Sequence, residues 1–439
     1  MNLVILTKPP KKALEGVLST AERLAEEAKK AGVKCYLVDM EGAYIKDGMV
    51  HNINDDKGFP ISKQDTVVVA RASITMKDSY LNLLTQFERL KVPTINTREC
   101  TEICADKYRT TLILRDNDIN QPKTVLMSMG PDKKINYAEQ AFDKLKTKLP
   151  VILKTLRGTQ GVGVMLVESL QSLDAITQLL YKMDESIDLL LQEYIKSEFD
   201  VRVMVLDNEI IGTMRRNVPD KDFRSNYSQG ATTDKYELTE KEKKISLAAA
   251  KAVGGYWTGV DFIPNNDDPL IIEVNSSAGT EGIEGTTGTN INEIVVKYIT
   301  DTNNIKGPRE TCGMREKFEI PLYGKTLKVK MDTGNSSTAM VLHAKDIEIG
   351  NDGKKVTWKF RGTKYRAPIV EIKRILTGPG DHIEDRATIE LDLSFNGILH
   401  KNVLFTLDDR KDKLDILCSK HFMIDNNLIV DPSSKYLLS

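Results

Sequence analysis

The chain of 439 residues has few cysteines and no long apolar run, and both absences narrow its class. Its five cysteines, at 35, 100, 104, 312 and 418, are odd in number and include no CxxC pair, so we expect reduced thiols in a cytoplasmic protein. No apolar stretch approaches the roughly 20 residues that cross a bilayer. The apolar run at 1–7 is too short for a signal peptide and is followed at once by Lys8. We therefore expect no membrane partner.

An excess of one charge is also absent. Lysine and arginine number 62 and aspartate and glutamate 63, a net charge of −1, so the chain has no overall basic surface for nucleic acid. No Gly-x-Gly-x-x-Gly follows the first predicted strand, which argues against a dinucleotide-binding fold. The sequence shows no long internal repeat and no low-complexity segment. We expect a globular protein of two or three domains without a direct nucleic-acid partner.

The order of predicted elements divides the chain into an α/β part and an all-β part. Residues 1–100 alternate strand and helix patterns, which predicts an N-terminal α/β domain with a mostly parallel sheet. A second α/β block covers 101–300, and the polar, Gly-Pro-containing stretch 301–311 is typical of a linker. Residues 312–439 contain alternating strands and an Asn396-Gly397 hairpin signal, which together predict a small β-barrel.

Three oxygen-bearing side chains interrupt two apolar runs near the end of the second block. Glu273 and Asn275 are two residues apart, so on a strand they project from the same face. Asp261 lies in the run Gly259-Val260-Asp261-Phe262, which we expect to be the neighbouring strand. Such an all-oxygen cluster suits Mg²⁺ rather than zinc. The alternative is an edge strand with polar residues facing solvent.

A glycine-rich loop and a group of arginines are the other candidates for chemistry. The apolar strand 151–154 ends in Lys154 and is followed by the glycine-rich residues 158–163, whose backbone N–H groups could approach phosphate oxygens. A glycine-rich hairpin with a surface lysine is the alternative. Arg215, Arg216 and Arg224 bring guanidinium groups together, which suits substrates with carboxylates but also describes an ordinary solvated face.

Taken together, the first 300 residues closely resemble the RimK family of ATP-grasp ligases, typified by the ribosomal protein S6 glutamate ligase. The resemblance rests on separated motifs in the same order, at 105–109, 153–154, 158–163, 192–196, 222–226, 259–261, 273–277 and 282–284. One departure is Tyr227-Ser228-Gln229-Gly230-Ala231, where those ligases carry a more basic stretch with Gly-Gly. This departure leaves the identity of the bound substrate open.

The resemblance implies a role for each matching residue. It implies that the phosphates of ATP contact Lys107 and Lys154, that the adenosine site contains Gln192, Glu193, Tyr194, Ile195 and Asp200, that the nucleotide and substrate loop contains Arg224, Ser225 and Asn226, and that Mg²⁺ (or Mn²⁺) is held by Asp261, Glu273 and Asn275. Arg224, helped by Arg215 or Arg216, is the predicted catalytic group that holds the transferring phosphoryl group and the carboxylate.

The chemistry implied is ATP-dependent addition of glutamate, or a similar amino acid, to a carboxylate of a protein or peptide. ATP phosphorylates the carboxylate, and an amine then attacks the acyl phosphate to form an amide. Both steps develop charge on phosphoryl oxygens, which metal ions and fixed cations stabilise. A small-molecule peptide ligase with an accessory C-terminal domain is the alternative within this class.

The C-terminal part resembles the retropepsin-like domain found beside RimK ligases, a family often labelled an ATP-dependent zinc protease. The resemblance rests on Asp332-Thr333-Gly334 after an alternating strand, on 386–389 and on the closing 430–436. Zinc finds no support, because there is no HExxH and the histidines lack ligand spacing. A departure is Cys418, which stands where the family has a glycine supporting the active-site loop.

Asp332 is the predicted catalytic residue of this domain. Acid-protease chemistry needs two carboxylates close together, yet the segment has room for one lobe and one such tripeptide. We therefore expect any peptidase activity to require a homodimer, in which twofold symmetry supplies the second Asp332. The alternatives are a barrel in which Asp332 is structural, or a module that binds an acidic tail and delivers it to the ligase.

Overall fold

The computed structural model describes residues 1–8, 19–53, 55–71, 78–128, 136–158, 163–219, 232–265, 268–301, 309–377, 382–410 and 414–438. The chain forms two compact units, residues 1–307 and 308–439. In the described part of the chain no helix has the length and apolar character needed to cross a membrane.

The described elements of the first unit are β1 (Asn2–Thr7), α1 (Thr20–Lys30), β2 (Lys34–Asp39), β3 (Ala43–Lys46), β4 (Met49–Asn52), β5 (Asp55–Pro60), β6 (Thr66–Ala70), α2 (Asp78–Arg89), β7 (Thr94–Ile95), α3 (Arg98–Ala105), α4 (Lys107–Asp116), β8 (Thr124–Met127), α5 (Tyr137–Leu145), β9 (Val151–Thr155), β10 (Val164–Val167), α6 (Leu170–Met183), β11 (Leu189–Glu193), β12 (Phe199–Leu206), β13 (Glu209–Asn217), β14 (Thr233–Lys235), α7 (Glu240–Ala252), β15 (Trp257–Ile263), β16 (Leu270–Asn275), α8 (Glu281–Thr287) and α9 (Ile291–Thr300).

The N-terminal region contains the predicted parallel sheet, with strand order β2-β1-β6-β7. Its central strands β1 and β6 are almost wholly apolar, as expected for strands that helices cover on both faces. Helix α1 begins in a capping box in which Ser19 accepts a hydrogen bond from Glu22 N while the Glu22 carboxylate accepts one from Ser19 N.

Two antiparallel sheets follow in the second α/β block. One has the strand order β10-β9-β11-β8 and the other β14-β13-β12-β15-β16. The five-stranded sheet packs through Val201, Val203, Val260 and Val274, which are fully buried on one face. Because side chains alternate along a strand, the intervening positions face the other way, and those positions carry the polar side chains of the site.

Asn96 joins the N-terminal region to the five-stranded sheet. It is 1% exposed, and its Nδ2 donates to the carbonyl oxygens of Trp257 and Ser276, each at 2.7 Å. Its Oδ1 accepts from the backbone N–H groups of Tyr256 (2.7 Å) and Trp257 (2.9 Å). Arg71 adds a second connection, since it stacks on Trp257 with its guanidinium carbon 4.2 Å from the ring centroid. One amide and one guanidinium group thus tie both regions together.

The second unit is mainly β structure. Its described elements are β17 (Glu310–Gly313), β18 (Arg315–Ile320), a 3-10 turn (Pro321–Tyr323), β19 (Lys325–Met331), β20 (Met340–His343), β21 (Lys345–Ile349), β22 (Lys355–Phe360), β23 (Thr363–Pro368), β24 (Glu371–Thr377), β25 (His382–Phe395), β26 (Ile398–Asp408), β27 (Ile416–Cys418), α10 (Lys420–Asp425) and β28 (Leu428–Asp431). Strand β17 begins within the stretch predicted as the linker.

Six strands of this unit close into the predicted barrel, in the order β18-β19-β27-β20-β26-β25, with β25 pairing back to β18. The hairpin between β25 and β26 confirms the Asn-Gly signal, because Asn396 (φ 50°) and Gly397 (φ 73°) both take the left-handed conformation of its turn. A separate sheet of β21, β22 and β23 buries Val356, Trp358 and Phe360 in the same core as the barrel.

Candidate active site

The predicted oxygen cluster lies on one face of the two strands β15 and β16. Asp261 is directly opposite Glu273 in the antiparallel register, and Gly259 is opposite Asn275. Residues two apart share a face, so Asp261, Glu273 and Asn275 project to the same side. Within the described residues no three His, Cys, Asp or Glu side chains group in a way that could hold a metal ion. The cluster on β15 and β16 instead combines two carboxylates with the side-chain amide of Asn275.

Asp261 is the centre of a buried ion-pair network. It is 3% exposed, and Arg202 binds it through both oxygens, with Nε 2.7 Å from Oδ1 and Nη2 2.5 Å from Oδ2. Arg216 Nη2 is 3.0 Å from Oδ2. Burial acts to raise the pKa of Asp261, but the two guanidinium groups outweigh burial and the pKa is lowered. Asp261 is therefore held as a carboxylate.

The same network contains Asp200, which was predicted at the adenosine site. Its Oδ1 is 2.6 Å from Arg216 Nε and its Oδ2 is 2.7 Å from Arg216 Nη2. Burial acts to lower the pKa of Arg216, but Asp261 and Asp200 outweigh it and the pKa is raised. Arg216, predicted to help hold the phosphoryl group, thus binds two carboxylates at once. Two arginines and two aspartates balance one another inside the sheet.

Arg202 was missed by the sequence analysis, although a signal for it exists. It lies two residues after Asp200 on β12, and its register partner on β15 is Asp261. The alternation of β12 therefore places both charged side chains on one face. A buried strand with two charges on a single face indicates ion pairing across the sheet, since unpaired buried charges are costly.

Glu273 differs from Asp261 because, among the described residues, it makes no hydrogen bond or ion pair. Its charge acts on two lysines that the sequence analysis assigned to phosphate, since Glu273 raises the pKa of both Lys107 and Lys154 against the effect of burial. The structure thus places one acidic strand position within electrostatic reach of both lysines.

Lys154 lies on β9 and is buried, with 9% of the residue exposed. Its Nζ donates to Gln192 Oε1 at 2.6 Å, and Gln192 Nε2 donates to Thr124 Oγ1 at 2.9 Å. Burial lowers the pKa of Lys154 to about 8, and only part of that effect is offset by Glu273. A bound phosphate would supply the missing negative charge.

Lys107 is the first residue of α4 and lies against the start of the glycine-rich loop. Its Nζ donates to the carbonyl oxygen of Gly158 at 3.0 Å, and burial lowers its pKa. Residues 159–162 of that loop lie outside the described residues. Lys107 thus contacts the start of the loop by a hydrogen bond and also interacts electrostatically with Glu273, which raises its pKa.

The other predicted nucleotide residues lie at the end of β11 and directly after it. Glu193 ends that strand, and its Oε1 accepts a hydrogen bond from Thr147 Oγ1 at 3.3 Å and lies 4.0 Å from Lys123 Nζ. Tyr194 and Ile195 come next in the segment that leads to β12, and both are half-buried.

The predicted substrate loop gives less information. Arg224, Ser225 and Asn226 lie outside the described residues, and their roles remain predictions. Arg215, the other arginine named with them, pairs with Asp234 at 2.9 Å and stacks over the ring of Phe199.

The donors on β15 and β16 fit a magnesium ion. Asp261 Oδ1 accepts one hydrogen bond and so retains a lone pair, and the Glu273 carboxylate accepts none from the described residues. Asn275 adds a side-chain amide oxygen on the same face of the sheet, while its Nδ2, a hydrogen-bond donor that cannot bind a cation, is buried without a partner among the described residues. Carboxylate and amide oxygens are the donors that Mg²⁺ prefers.

Comparison with known proteins gives a consistent result. Residues 104–299 match the RimK-like ATP-grasp domain. The chain is 32% identical over 307 residues to a probable alpha-L-glutamate ligase of Marinomonas sp., a match that covers 69% of this chain and 96% of that protein.

Solved structures show the same fold at lower identity. D-alanyl-alanine synthetase A of Vibrio cholerae superposes with a TM-score of 0.53 at 17% identity, covering 69% of this chain and 98% of that one. The ATP-grasp ligase PsnB, complexed with a phosphomimetic variant of its minimal precursor, Mg and ADP, gives 0.51 at 17% identity and covers 68% and 97%.

Proposed function

Because the chain belongs to the RimK family of ATP-grasp carbon–nitrogen ligases, enzymes that use ATP and Mg²⁺, we propose that it adds glutamate to the carboxylate end of a protein or peptide. ATP-dependent glutamate ligation is the activity of its family, and our proposal adds that the acceptor is a protein or peptide. The resemblance to the S6 ligases supports a protein or peptide acceptor, as does the complex of PsnB with a precursor.

The observation that carries the proposal is the position of Glu273. It stands beside Asp261 and Asn275 on one sheet face, and its charge reaches Lys107 and Lys154. We assign the three oxygen donors to Mg²⁺, which neutralises charge on the phosphate oxygens. We assign the two lysines to the phosphates themselves, because a buried lysine beside one carboxylate can accept further negative charge.

The remaining residues orient these groups. Arg202 and Arg216 hold Asp261 ionised and fixed in direction, and Asp200 in turn fixes Arg216. Gln192 holds Lys154 by its ammonium group. Arg224 is assigned to the carboxylate substrate and the transferring phosphoryl group, as in the sequence analysis. A site with fixed charges pays little reorganisation energy when charge develops in the transition state.

The reaction has two balanced steps. The acceptor carboxylate attacks the γ-phosphorus, the bond to the β-phosphate oxygen breaks, and ADP leaves an acyl phosphate behind. The neutral amine of glutamate then attacks the acyl carbon, inorganic phosphate departs with the bonding pair, and the amine loses a proton as the amide forms.

The proposal is tested by incubating the protein with ATP, Mg²⁺, a mixture of amino acids and a peptide ending in glutamate. We expect a mass increase of one or more glutamate residues on the peptide, ADP and phosphate released in step, and a hydroxamate when hydroxylamine is added. Release of AMP and pyrophosphate would overturn the acyl phosphate route. Dipeptide formation from free amino acids without peptide modification would favour the small-molecule ligase.

For the second unit we propose an acid-peptidase-like barrel whose site is completed by a second copy of the chain. Asp332 directly follows β19, and its Oδ1 accepts a hydrogen bond from Gly334 N at 3.1 Å. Cys418 is buried and pairs with Met331 of the adjacent strand, the residue before Asp332. Lys420 N donates to Asn335 O at 2.9 Å and braces the loop.

Peptide cleavage and oligomeric state test this second proposal together. We expect a dimer by analytical ultracentrifugation and cleavage of an unstructured peptide library that is lost in Asp332→Asn. Cleavage by a strictly monomeric protein would contradict the shared site. A monomer without cleavage would instead favour a barrel that only binds its ligand.

A further inference from the structure

One face of the small sheet formed by β21, β22 and β23 is rich in cations. Along β22 and β23 the apolar residues alternate with exposed ones, so the side facing solvent is set by the strand period. We name this surface the basic sheet face and define it by five exposed cations, Lys345, Lys355, Lys359, Lys364 and Arg366. The opposite face packs into the core of the unit.

The register places three of these cations in a row across the sheet. Lys345 is opposite Lys359, and Lys359 is opposite Lys364. Side chains in directly opposite positions are about 5 Å apart, and like charges there repel. The strands tolerate this repulsion because Trp358 and its apolar neighbours are buried on the other side. Packing of the buried face therefore tolerates the row of three lysines, but it does not depend on these lysines.

Two acids on the same sheet neutralise only part of this charge. Asp346 lies 2.8 Å from Lys359 Nζ, and Glu348 lies 3.5 Å from Lys364 Nζ. The other three members, Lys345, Lys355 and Arg366, make no ion pair with any residue that the structure describes. The basic sheet face thus retains about three uncompensated positive charges on a rigid, flat support.

We propose that the basic sheet face binds a glutamate-rich segment of the acceptor or product chain. This inference rests on the proposed function, since adding glutamate generates such a segment. Alternate residues of an extended strand are about 7 Å apart, a spacing that Lys364 and Arg366 share with alternate glutamates of an extended peptide. A peptide along β23 therefore places the carboxylates of two alternate glutamates at Lys364 and Arg366.

A nucleic acid fits this surface less well. Proteins that bind single strands combine positive charge with aromatic side chains on which bases stack. The three aromatic residues of these strands, Trp358, Phe360 and Tyr365, lie in or against the core cluster of the unit and not on the basic sheet face. Charge without a stacking platform favours a flexible acidic peptide over RNA.

The consequence for the reaction is retention of the growing product. The second unit is covalently joined to the ligase unit. A product segment that binds weakly to the second unit therefore has a high effective concentration for the ligase unit of the same protein molecule. Each added glutamate strengthens this contact, because each carboxylate adds an attraction that salt weakens. We therefore expect acceptors that already end in glutamates to be used at lower concentration than neutral ones.

Binding of fluorescein-labelled hexaglutamate to the full chain tests the inference by anisotropy, at about 50 mM salt and without ATP. The variant is Lys345→Gln/Lys355→Gln/Arg366→Gln, which removes no ion pair described above. The matched control is Lys325→Gln/Lys328→Gln/Lys401→Gln, which removes three exposed charges from barrel strands of the same unit. We expect the first variant to raise Kd about tenfold and to flatten the salt dependence, while the control changes Kd less than about twofold.

Three results would overturn the inference. They are an absence of hexaglutamate binding by the unaltered chain, an equal loss in the control variant, or equally tight binding of an oligouridylate of the same charge. Because binding is measured without ATP, these results are separate from a failure of ligation, which the mass-spectrometric experiment detects. A lower KM for a tetraglutamate-ended peptide than for its tetraglutamine analogue, abolished in the first variant, would support it.

Discussion

In the first unit the Asp261 side chain is 5% exposed and two guanidinium groups contact its carboxylate. In the second unit the Asp332 side chain is 24% exposed, and its Oδ2 lies 3.9 Å from Lys330 Nζ. The first carboxylate is embedded in a network that is electrically balanced inside one chain. The second has one backbone hydrogen bond, from Gly334 N.

The difference bears on what each site needs in order to work. Buried ion pairs fix geometry at the cost of desolvation, so a complete network is a preorganised support for charge chemistry. A partly exposed carboxylate keeps part of its hydration, and by itself it does not fix the geometry of neighbouring charged groups. Among the described residues, the Asp261 carboxylate is thus fixed by its own chain, whereas under our proposal the site at Asp332 needs a further carboxylate from a second copy.

The largest effect is expected when the balanced network is broken. Asp261→Asn removes the negative charge between Arg202 and Arg216, so the unfolding free energy of the first unit should fall by roughly 3–5 kcal/mol, and ligation should be lost with it. Trp257 and Trp358 are the two tryptophans of the chain, one in each unit. Denaturant unfolding in a Trp358→Phe background therefore reports on the first unit through Trp257.

Glu273→Gln should separate catalysis from folding. This side chain supports no described hydrogen bond, so the fold is expected to persist while ADP release falls about 100- to 1000-fold. Glu293→Gln, a change at a half-exposed side chain of α9, is the matched control and should leave the rate unchanged. Near-normal turnover in the Glu273 variant would show that the metal assignment is wrong.

Lys154 should make the stability of the first unit depend on pH. Burial lowers its pKa from 10.5 to about 8, so between these values the unfolded chain holds a proton that the folded chain has lost. The stability contributed by this group therefore rises with pH through that window. In Lys154→Met this rise should disappear, whereas the exposed Lys144→Met should retain it. Unfolding curves of equal pH dependence in both variants would contradict the assignment.

The smallest effect is expected at the barrel. Asp332→Asn keeps an amide oxygen that can accept from Gly334 N, and its side chain is partly exposed, so the stability of the second unit should change by no more than about 0.5 kcal/mol. Trp358 fluorescence in a Trp257→Phe background measures this unit. A large loss would instead identify Asp332 as a structural residue and weaken the peptidase proposal.

Sequence periodicity was sufficient to predict which side chains of a single strand share a face of the sheet. The spacing of Glu273 and Asn275 predicted a shared face, and the register with Asp261 confirms that geometry. The Asn396-Gly397 turn was likewise predicted because its conformation is a local property. Both inferences depend on residues that are adjacent in sequence or on neighbouring strands, where short-range rules apply.

Long-range partners could not be obtained in this way. Arg202 meets Asp261 across 59 positions and Asn96 meets Trp257 across 161. No local pattern encodes such pairs, because they depend on which strands become neighbours. Arg216 was identified as a candidate for phosphoryl binding, yet its two carboxylate partners were not foreseen, since the charge of a residue does not reveal what neutralises it. The roles of Arg224, Ser225 and Asn226 stay predictions.

The four hydrogen bonds of Asn96 bear on how this protein can be divided experimentally. A fragment that begins at residue 101 follows the predicted domain boundary, yet it would expose two backbone N–H groups and two carbonyl oxygens of the sheet that Asn96 satisfies. Each such group is costly to leave unpaired when it remains buried. Expression of the ligase alone should therefore retain the first hundred residues, and a cut is better placed between residues 301 and 309, where the two compact units meet in sequence.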